Sequence, residues 1–317
     1  MAVATPPRQR TRSALLTACA MVLVGVATLA IVRLTGLDSG TVFALVVVGI
    51  PYAAVVTVVV AVVLAVAKAR WLAGLAVLLL VVQVVWLAPR FTADGVDIPA
   101  TAPRLRVATI NSHVGHVDPR ALVDFVRSAN VDVLAVEELA PEAITPLDDA
   151  GLRELLPYRE LRPNDDSSIY SRLPITSSGP LAAPTLWPQT RAAVSAFGRT
   201  IDVVAVHTYY PAGDPSVWTR DMAALTTTAG ENSVVLGDFN ATLDHAPMRE
   251  LLAAGLVDAH AELGNGWAPT WPADRLLPPL VQLDHVLHGH GLAAVTTSVH
   301  TLPGSDHRLV FAELALV

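Results

Sequence analysis

The chain has 317 residues, of which 53% are hydrophobic and only 15% charged, far below the roughly one-quarter charged residues of an average soluble protein. The apolar excess is confined to the first ninety residues, whereas residues 101–317 carry 14 Arg against 25 Asp and Glu, a net charge of −11. A single cysteine, Cys19, excludes a disulfide or cysteine–metal framework within the chain, and the acidic balance argues against a partner held by its phosphates, such as nucleic acid.

Three apolar segments open the chain: Ala14–Val32, Thr41–Ala67 and Trp71–Ala88. Each approaches or exceeds the 18–20 or so residues that cross a bilayer core. A cleaved signal peptide would also explain the first segment, because a basic stretch precedes it. No small-residue cleavage site with a polar mature start follows, and two further apolar segments do. The reading is therefore three transmembrane helices over 14–88 behind a basic cytoplasmic tail, 1–13. Gly49-Ile50-Pro51 inside the second is expected as a kink.

Arg8, Arg10 and Arg12 precede the first segment, and Lys68 and Arg70 separate the second from the third. The other side offers only Arg33 and Arg90. Positive charge stays inside, so the N-terminus is expected in the cytoplasm and everything after Arg90 outside. Trp71 and Trp86 bracket the third segment as interfacial anchors.

Residues 89–103, with Asp94-Gly95, Pro99 and Pro103, read as a linker. From Arg104 to Val317 strands alternate with helices: Leu105–Ile110 is a strand, Pro119–Ala129 an amphipathic helix, and Val131–Val136 a second strand. Further strands are expected near 168–170, 192–197, 201–207, 234–236, 282–287 and 309–314, with a helix over Pro247–Ala254. About 214 residues suffice for one buried core.

Polar residues gather at the ends of these apolar runs. Asn111, Glu138, His207, Asp238 with Asn240, and Asp284 each end or closely follow one, and Ser305-Asp306-His307-Arg308 precedes the last. Singly, each has an ordinary explanation: Asn111 a turn, Glu138 a helix-dipole acid, His207 a satisfied core histidine, Gly237-Asp238-Phe239-Asn240 a turn with two polar side chains. Six together at strand ends exceed what capping requires.

In order, Thr109-x-Asn111, Glu137-Glu138, Ser171-Arg172-x-Pro174-Ile175, His207, Gly237-Asp238-Phe239-Asn240, Asp284 and Ser305-Asp306-His307 resemble the endonuclease/exonuclease/phosphatase superfamily across residues 104–317. The resemblance implies a four-layer α/β sandwich, two packed mixed β-sheets flanked by helices, and Mg²⁺-dependent cleavage of phosphoric ester or anhydride bonds, with Mn²⁺ as the alternative cation. It implies metal ligation by Glu138, with Asn111 through its side-chain oxygen and Asp306 in or near the metal shell. Asp238 is the general base or water-orienting group and Asn240 positions the water or a phosphate oxygen. Asp284 orients His307 toward the phosphate, and His207 contacts the phosphate or assists the leaving group. Arg191 is the candidate for a phosphate contact. Glu137 departs from the Gln that relatives usually carry. Asp284-His285 through His288-Gly289-His290 mimics a metal cluster, but strand alternation sends Asp284 and His285 to opposite faces.

Three membrane helices ahead of this domain also resemble the VanJ group of teicoplanin-resistance proteins. That resemblance implies a phosphorylated carrier lipid, such as undecaprenyl pyrophosphate, as substrate and the bilayer as partner. A sphingomyelinase-like phospholipase C, a tethered nuclease and a non-enzymatic envelope-binding module remain the rival readings.

Overall fold

The computed structural model describes residues 7–163 and 165–317; the start of the basic tail, and the side chain of Arg8, lie outside the described residues. The chain separates into two units, residues 1–89 with 244–246, and residues 90–243 with 247–317.

In the first unit α1 runs Pro7–Thr35, α2 Ala44–Val47, α3 Ile50–Val66 and α4 Arg70–Leu87. Leu23, Val26, Leu64, Ala76 and Leu79 pack where α1, α3 and α4 meet. Met21, Val24, Val59, Leu78 and Val85 point away, exposed. Two helical stretches, Arg10–Thr35 and Arg70–Phe91, are long and apolar enough to cross a membrane. The second expected span is interrupted. Gly49 stands at the N-cap of α3 and Pro51 in its first turn, with the four-residue α2 ahead of it. Proline has no N–H to donate back to a preceding turn, so the regular α-helix stops at Val47 and restarts at Ile50. The 17 residues of α3 cover about 25 Å at 1.5 Å per residue, less than an apolar core of about 30 Å. Two helices, not three, therefore meet the length of a span.

The second unit carries two six-stranded sheets. The first sheet holds β1 (Arg104–Asn111), β2 (Val133–Glu137), β3 (Tyr158–Glu160), β4 (Ser167–Ser171), β11 (Leu292–Thr301) and β12 (Arg308–Leu316), ordered β11-β12-β1-β2-β4-β3. The second holds β5 (Ile175–Pro180), β6 (Thr190–Ala196), β7 (Arg199–His207), β8 (Ser233–Asp238), β9 (Val257–Asp258) and β10 (Asp284–His288), ordered β5-β6-β7-β8-β10-β9. Alternation along the strands sends Leu105, Val107, Val203, Ala205, Val234 and Leu236 into the layer between the sheets. Ala108, Ile110, Leu134 and Val136 face the other way, under α5 (Pro119–Ser128) and α6 (Pro141–Asp149). Strands covered on both faces read as nearly unbroken apolar runs, which is why β1, β2, β7 and β8 stand out in the sequence. β5 (Ile-Thr-Ser-Ser-Gly-Pro) and β11 are edge strands with mixed polar character and did not. Asp118 and Asp214 cap α5 and α8 (Pro215–Leu225), each ahead of a proline at the first helical turn.

Each sheet contains one parallel pair. In the first, β1 and β2 bring Asn111 beside Glu137; in the second, β7 and β8 bring His207 beside Asp238. β10 runs antiparallel to β8, so its first residue, Asp284, also pairs with Asp238. β12 begins immediately after His307. Strand direction alone thus delivers all of these residues to one end of the sandwich.

Gly237 makes this end possible. Its φ is +145°, and a Cβ there would lie 2.0 Å from the Val206 carbonyl oxygen. Gly237→Ala should therefore cost roughly 4 kcal/mol, the range of severe single substitutions, measured as a lowered unfolding midpoint of the full chain in detergent; an unchanged midpoint contradicts this packing.

Candidate active site

Asp238 closes β8 and is buried. Its Oδ1 accepts from the Asn240 backbone N–H at 2.9 Å and its Oδ2 from Asn111 Nδ2 at 3.2 Å. Two imidazoles face the same Oδ2, with His307 Nε2 at 3.7 Å and His207 Nε2 at 3.8 Å. Each imidazole is backed by a second carboxylate. Asp284 Oδ2 lies 2.8 Å from His307 Nδ1, and Asp166 Oδ2 lies 3.0 Å from His207 Nδ1, the latter an ion-pair contact bent out of hydrogen-bond alignment.

The charges follow from this geometry. Burial opposes protonation of His307, but Asp284 and Asp238 outweigh it and hold the imidazole up to about 10. Burial also works against a charged His207, and Asp166, Asp238 and Glu138 again raise it overall. Asp238 is itself raised, by burial and then by Asp284, with the two imidazoles pulling the other way. A base above the usual carboxylate range between two cationic rings suits proton transfer near neutral pH.

Glu138 follows β2 at φ +52°, a conformation uncommon outside glycine. Its Oε1 accepts from Asn111 Nδ2 at 3.1 Å, its Oε2 from the Val114 N–H at 2.9 Å, and His207 Nε2 is 3.9 Å away. Asn111 is placed differently from the sequence reading. Its amide nitrogen faces Glu138 and Asp238, while its oxygen accepts the His113 N–H at 2.9 Å. Two carboxylates this near attract the donor end of the amide. Asn240, at φ +48°, gives its amide to the Thr208 carbonyl at 3.1 Å.

Asp306 stands at the mouth, partly exposed, with Trp271 Nε1 at 3.4 Å and His113 Nδ1 at 3.8 Å. Glu137 is fully buried, with the Thr109 hydroxyl 2.9 and 3.0 Å from its two oxygens. Burial first, then the charges of Asp284 and Asp238, raise it well above the usual range. The shift favours the protonated carboxyl, which offers one donor and one acceptor as an amide does.

Arg191 stands near this end of β6 but on its outer face, away from Asp238. It is exposed on β6 and paired with Asp202 at 2.6 Å, beside a cavity of about 320 Å³ lined by Ser178 and Thr200. Residues of β6 alternate, and its neighbour Thr190 takes the inward face against Ser167. His285 and His288 are buried and engaged by Asp258 and Glu262, each at 2.8 Å, so both rings are taken up by internal contacts. Asp166, in the turn before β4, was invisible in the sequence because Asp-Asp-Ser-Ser looks like any polar loop. Gln189 was missed too. It clamps the His207 backbone, accepting its N–H at 2.6 Å and donating to its carbonyl at 3.0 Å.

Asp238, Asp284 and His307 offer atoms all within 4.8 Å of one another, the arrangement of a metal triad. His307 Nδ1 is taken up by Asp284, which leaves Nε2 turned toward Asp238. Asp284 Oδ1 is nevertheless buried without a donor, and Glu138, Asp166, Asp238 and Asp284 outnumber the two imidazoles. Such an oxygen-rich surplus of negative charge suits a hard divalent cation.

Residues 108–307, more than half of the chain, match the family model described as Endonuclease/Exonuclease/phosphatase family. The chain belongs to that family. The endonuclease/exonuclease/phosphatase fold recurs in a family protein from Bacteroides thetaiotaomicron, at 15% identity and TM-score 0.54, covering 68% of this chain and 99% of that one. D. rerio TDP2 complexed with single strand DNA product has 18% identity and TM-score 0.55, over 67% and 98%. A mannosyl-6-phosphatase of B. thetaiotaomicron has 15% and 0.51, over 67% and 99%. These likenesses establish the fold alone. No curated protein sequence matches the chain. Members of the endonuclease/exonuclease/phosphatase family are phosphoesterase hydrolases, and the convergent carboxylates and imidazoles stand where the family's matched stretch runs.

His307 acquires its partners only on folding. With a folded value of about 10 against an ordinary 6.5, its stabilisation is fully present below pH 6.5 and is lost as pH rises through 10. The unfolding midpoint should fall across that window, and His307→Gln should flatten the fall; equal slopes would remove the assignment. Asp166→Asn keeps the shape of the side chain without its charge. Turnover should drop roughly 10–100-fold, as when a ligand's supporting partner is lost, and the pH limb set by His207 should move down. A pH profile unchanged from the wild type would leave Asp166 a structural residue.

Proposed function

We propose that the protein is a membrane-anchored, Mg²⁺-dependent phosphohydrolase that works at the outer face of the cytoplasmic membrane on a phosphorylated lipid, with undecaprenyl pyrophosphate as the type of substrate. The observation that carries the chemistry is the pair of Asp–His couples closing on Asp238 beside Glu138. Phosphoryl transfer needs an aimed water, charge on the equatorial oxygens and a proton for the leaving group. Asp238 takes the proton of the attacking water as the new oxygen–phosphorus bond forms. Asn240, on the adjoining turn, positions that water. The imidazolium of His307, kept charged by Asp284, faces the phosphoryl oxygens. His207, kept protonated by Asp166, gives its proton to the departing oxygen as its bond to phosphorus breaks, and Asp238 returns a proton to the couple. Glu138 is the residue that would hold the divalent cation, with Asn111 and Asp306 completing the set the resemblance implies; when bound, the cation supplies Lewis-acid charge on the phosphoryl group.

The fold does not choose the substrate. The lipid reading is supported by two helices long and apolar enough to span a bilayer, with exposed apolar faces; the outer-face placement takes α2 and α3 together as a third crossing, which puts Arg10, Arg12, Lys68 and Arg70 on the cytoplasmic side by the positive-inside rule. The acidic second unit weighs against a duplex DNA substrate, although TDP2 with its single-strand DNA product shows that this fold accommodates nucleic acid.

Full-length protein with Mg²⁺ should release inorganic phosphate from a polyprenyl pyrophosphate. Asp238→Ala should lower that rate by about 10³-fold or more, the order expected when a general base and its electrostatic partners are lost together. Release of a phosphorylated head group from a phospholipid would replace this reading with the phospholipase C one, and nicked plasmid without phosphate release with the nuclease one.

A further inference from the structure

Trp271–Val281 folds back on itself beside the catalytic end. Trp271 and Val281 form an isolated antiparallel bridge, and the Leu280 N–H donates to the Trp271 carbonyl at 3.0 Å. The root is tied to the site on both sides. The Ala273 N–H donates to the Asp306 carbonyl at 2.6 Å, the Trp271 indole meets the Asp306 carboxylate at 3.4 Å, and the Asp284 N–H donates to the Thr270 hydroxyl at 3.3 Å. The tip, by contrast, is apolar and uncovered. Leu276 is fully exposed, Leu277 69% and Leu280 44% exposed, with Trp271 38% exposed below them. Arg275 and Asp274 neutralise one another at 3.0 Å, so the tip carries no net charge. Across the mouth, exposed Val114 holds Glu138 through its backbone N–H.

Water is a poor solvent for three leucines grouped on one loop, and such patches mark interaction surfaces. We propose that the Trp271–Val281 loop docks into the surface of a lipid bilayer, its leucines among the acyl chains and Trp271 at the headgroup level, bringing lipid phosphate to the Asp238–His307 end. A bilayer is favoured over a protein partner by three features. The patch is a convex tip with neutralised charge and an indole at its base, the composition of interfacial anchors. The chain carries two helices long and apolar enough to span a bilayer. Residues 90–94, at and just beyond the end of the second of these helices, pack against the segment leading into this loop: Asp94 N–H donates to the Glu262 carbonyl at 2.9 Å, and a Cβ on Gly266 would lie 2.3 Å from that of Arg90. Chain connectivity thus ties the segment just ahead of the loop to the end of the second of these helices. The presentation of lipid phosphate rests on the lipid-substrate reading above; the docking does not.

The test uses the full chain in phosphatidylglycerol–phosphatidylcholine vesicles. With Cys19→Ser as background, Leu277→Cys is labelled with an environment-sensitive fluorophore. Blue-shifted emission quenched several-fold more by nitroxide lipids than by aqueous iodide is expected. Emission typical of water, quenched by iodide alone, overturns the docking, as does cross-linking of the labelled position to a second copy with no lipid quenching. In parallel, the triple variant Leu276→Ser, Leu277→Ser, Leu280→Ser, at exposed positions, should lose at least tenfold in turnover of vesicle-embedded polyprenyl pyrophosphate. It should stay within twofold of the parent on a water-soluble short-chain pyrophosphate. Lipid quenching without hydrolysis of either substrate leaves the docking standing and removes the substrate reading; hydrolysis of both with an aqueous probe does the reverse.

Discussion

A carboxylate buried among other carboxylates is tolerable only if something positive faces it, and the whole catalytic end is arranged around that requirement at Asp238. Two imidazoles supply the positive charge, and each needs its own carboxylate to remain protonated in a buried setting, where desolvation alone would strip the proton. Asp166 and Asp284 are therefore as much a part of the site as the histidines they back. They come from different sheets, as do the histidines, so the electrostatic balance also joins the two halves of the sandwich.

Register makes the balance reproducible. In a parallel pair neighbouring strands end on the same side, and here the paired ends are Asn111 with Glu137 and His207 with Asp238. A slip of one residue would turn each side chain to the opposite face and move Asp238 from the inner face that it shares with Val234 and Leu236 to the outer one. The left-handed backbone at Glu138 and Asn240, costly for both residue types though less so for Asn, persists because neighbouring hydrogen bonds determine it. Such preset geometry lets the groups meet a developing charge without first reorganising.

The strands and the residues at their ends were legible because burial on both faces writes a nearly continuous apolar run, and a polar residue closing such a run is conspicuous. Asp238, Asp284, His207 and His307 were found that way. Asp166 was not, since it lies in a polar turn whose composition is that of any turn. Nor could a sequence say which end of the Asn111 amide faces Glu138, because that depends on two carboxylates brought together from different strands. Arg191 looked like a phosphate ligand only while its partner on the next strand, Asp202, was unknown. The second apolar segment was long enough to span in one piece, and only local backbone geometry at Gly49 and Pro51 divides it.

The hydroxyl of Ser305 donates to the Asn111 carbonyl at 2.7 Å, joining positions 194 residues apart. Contacts of such long range are the slowest to form. A chain made from its N-terminus exposes Asn111 and Glu138 well before His307 exists, and β12 is the last strand available to complete the first sheet. The site thus closes late and all at once, so that an incompletely folded chain holds Asp238 without the His307 imidazole that faces it.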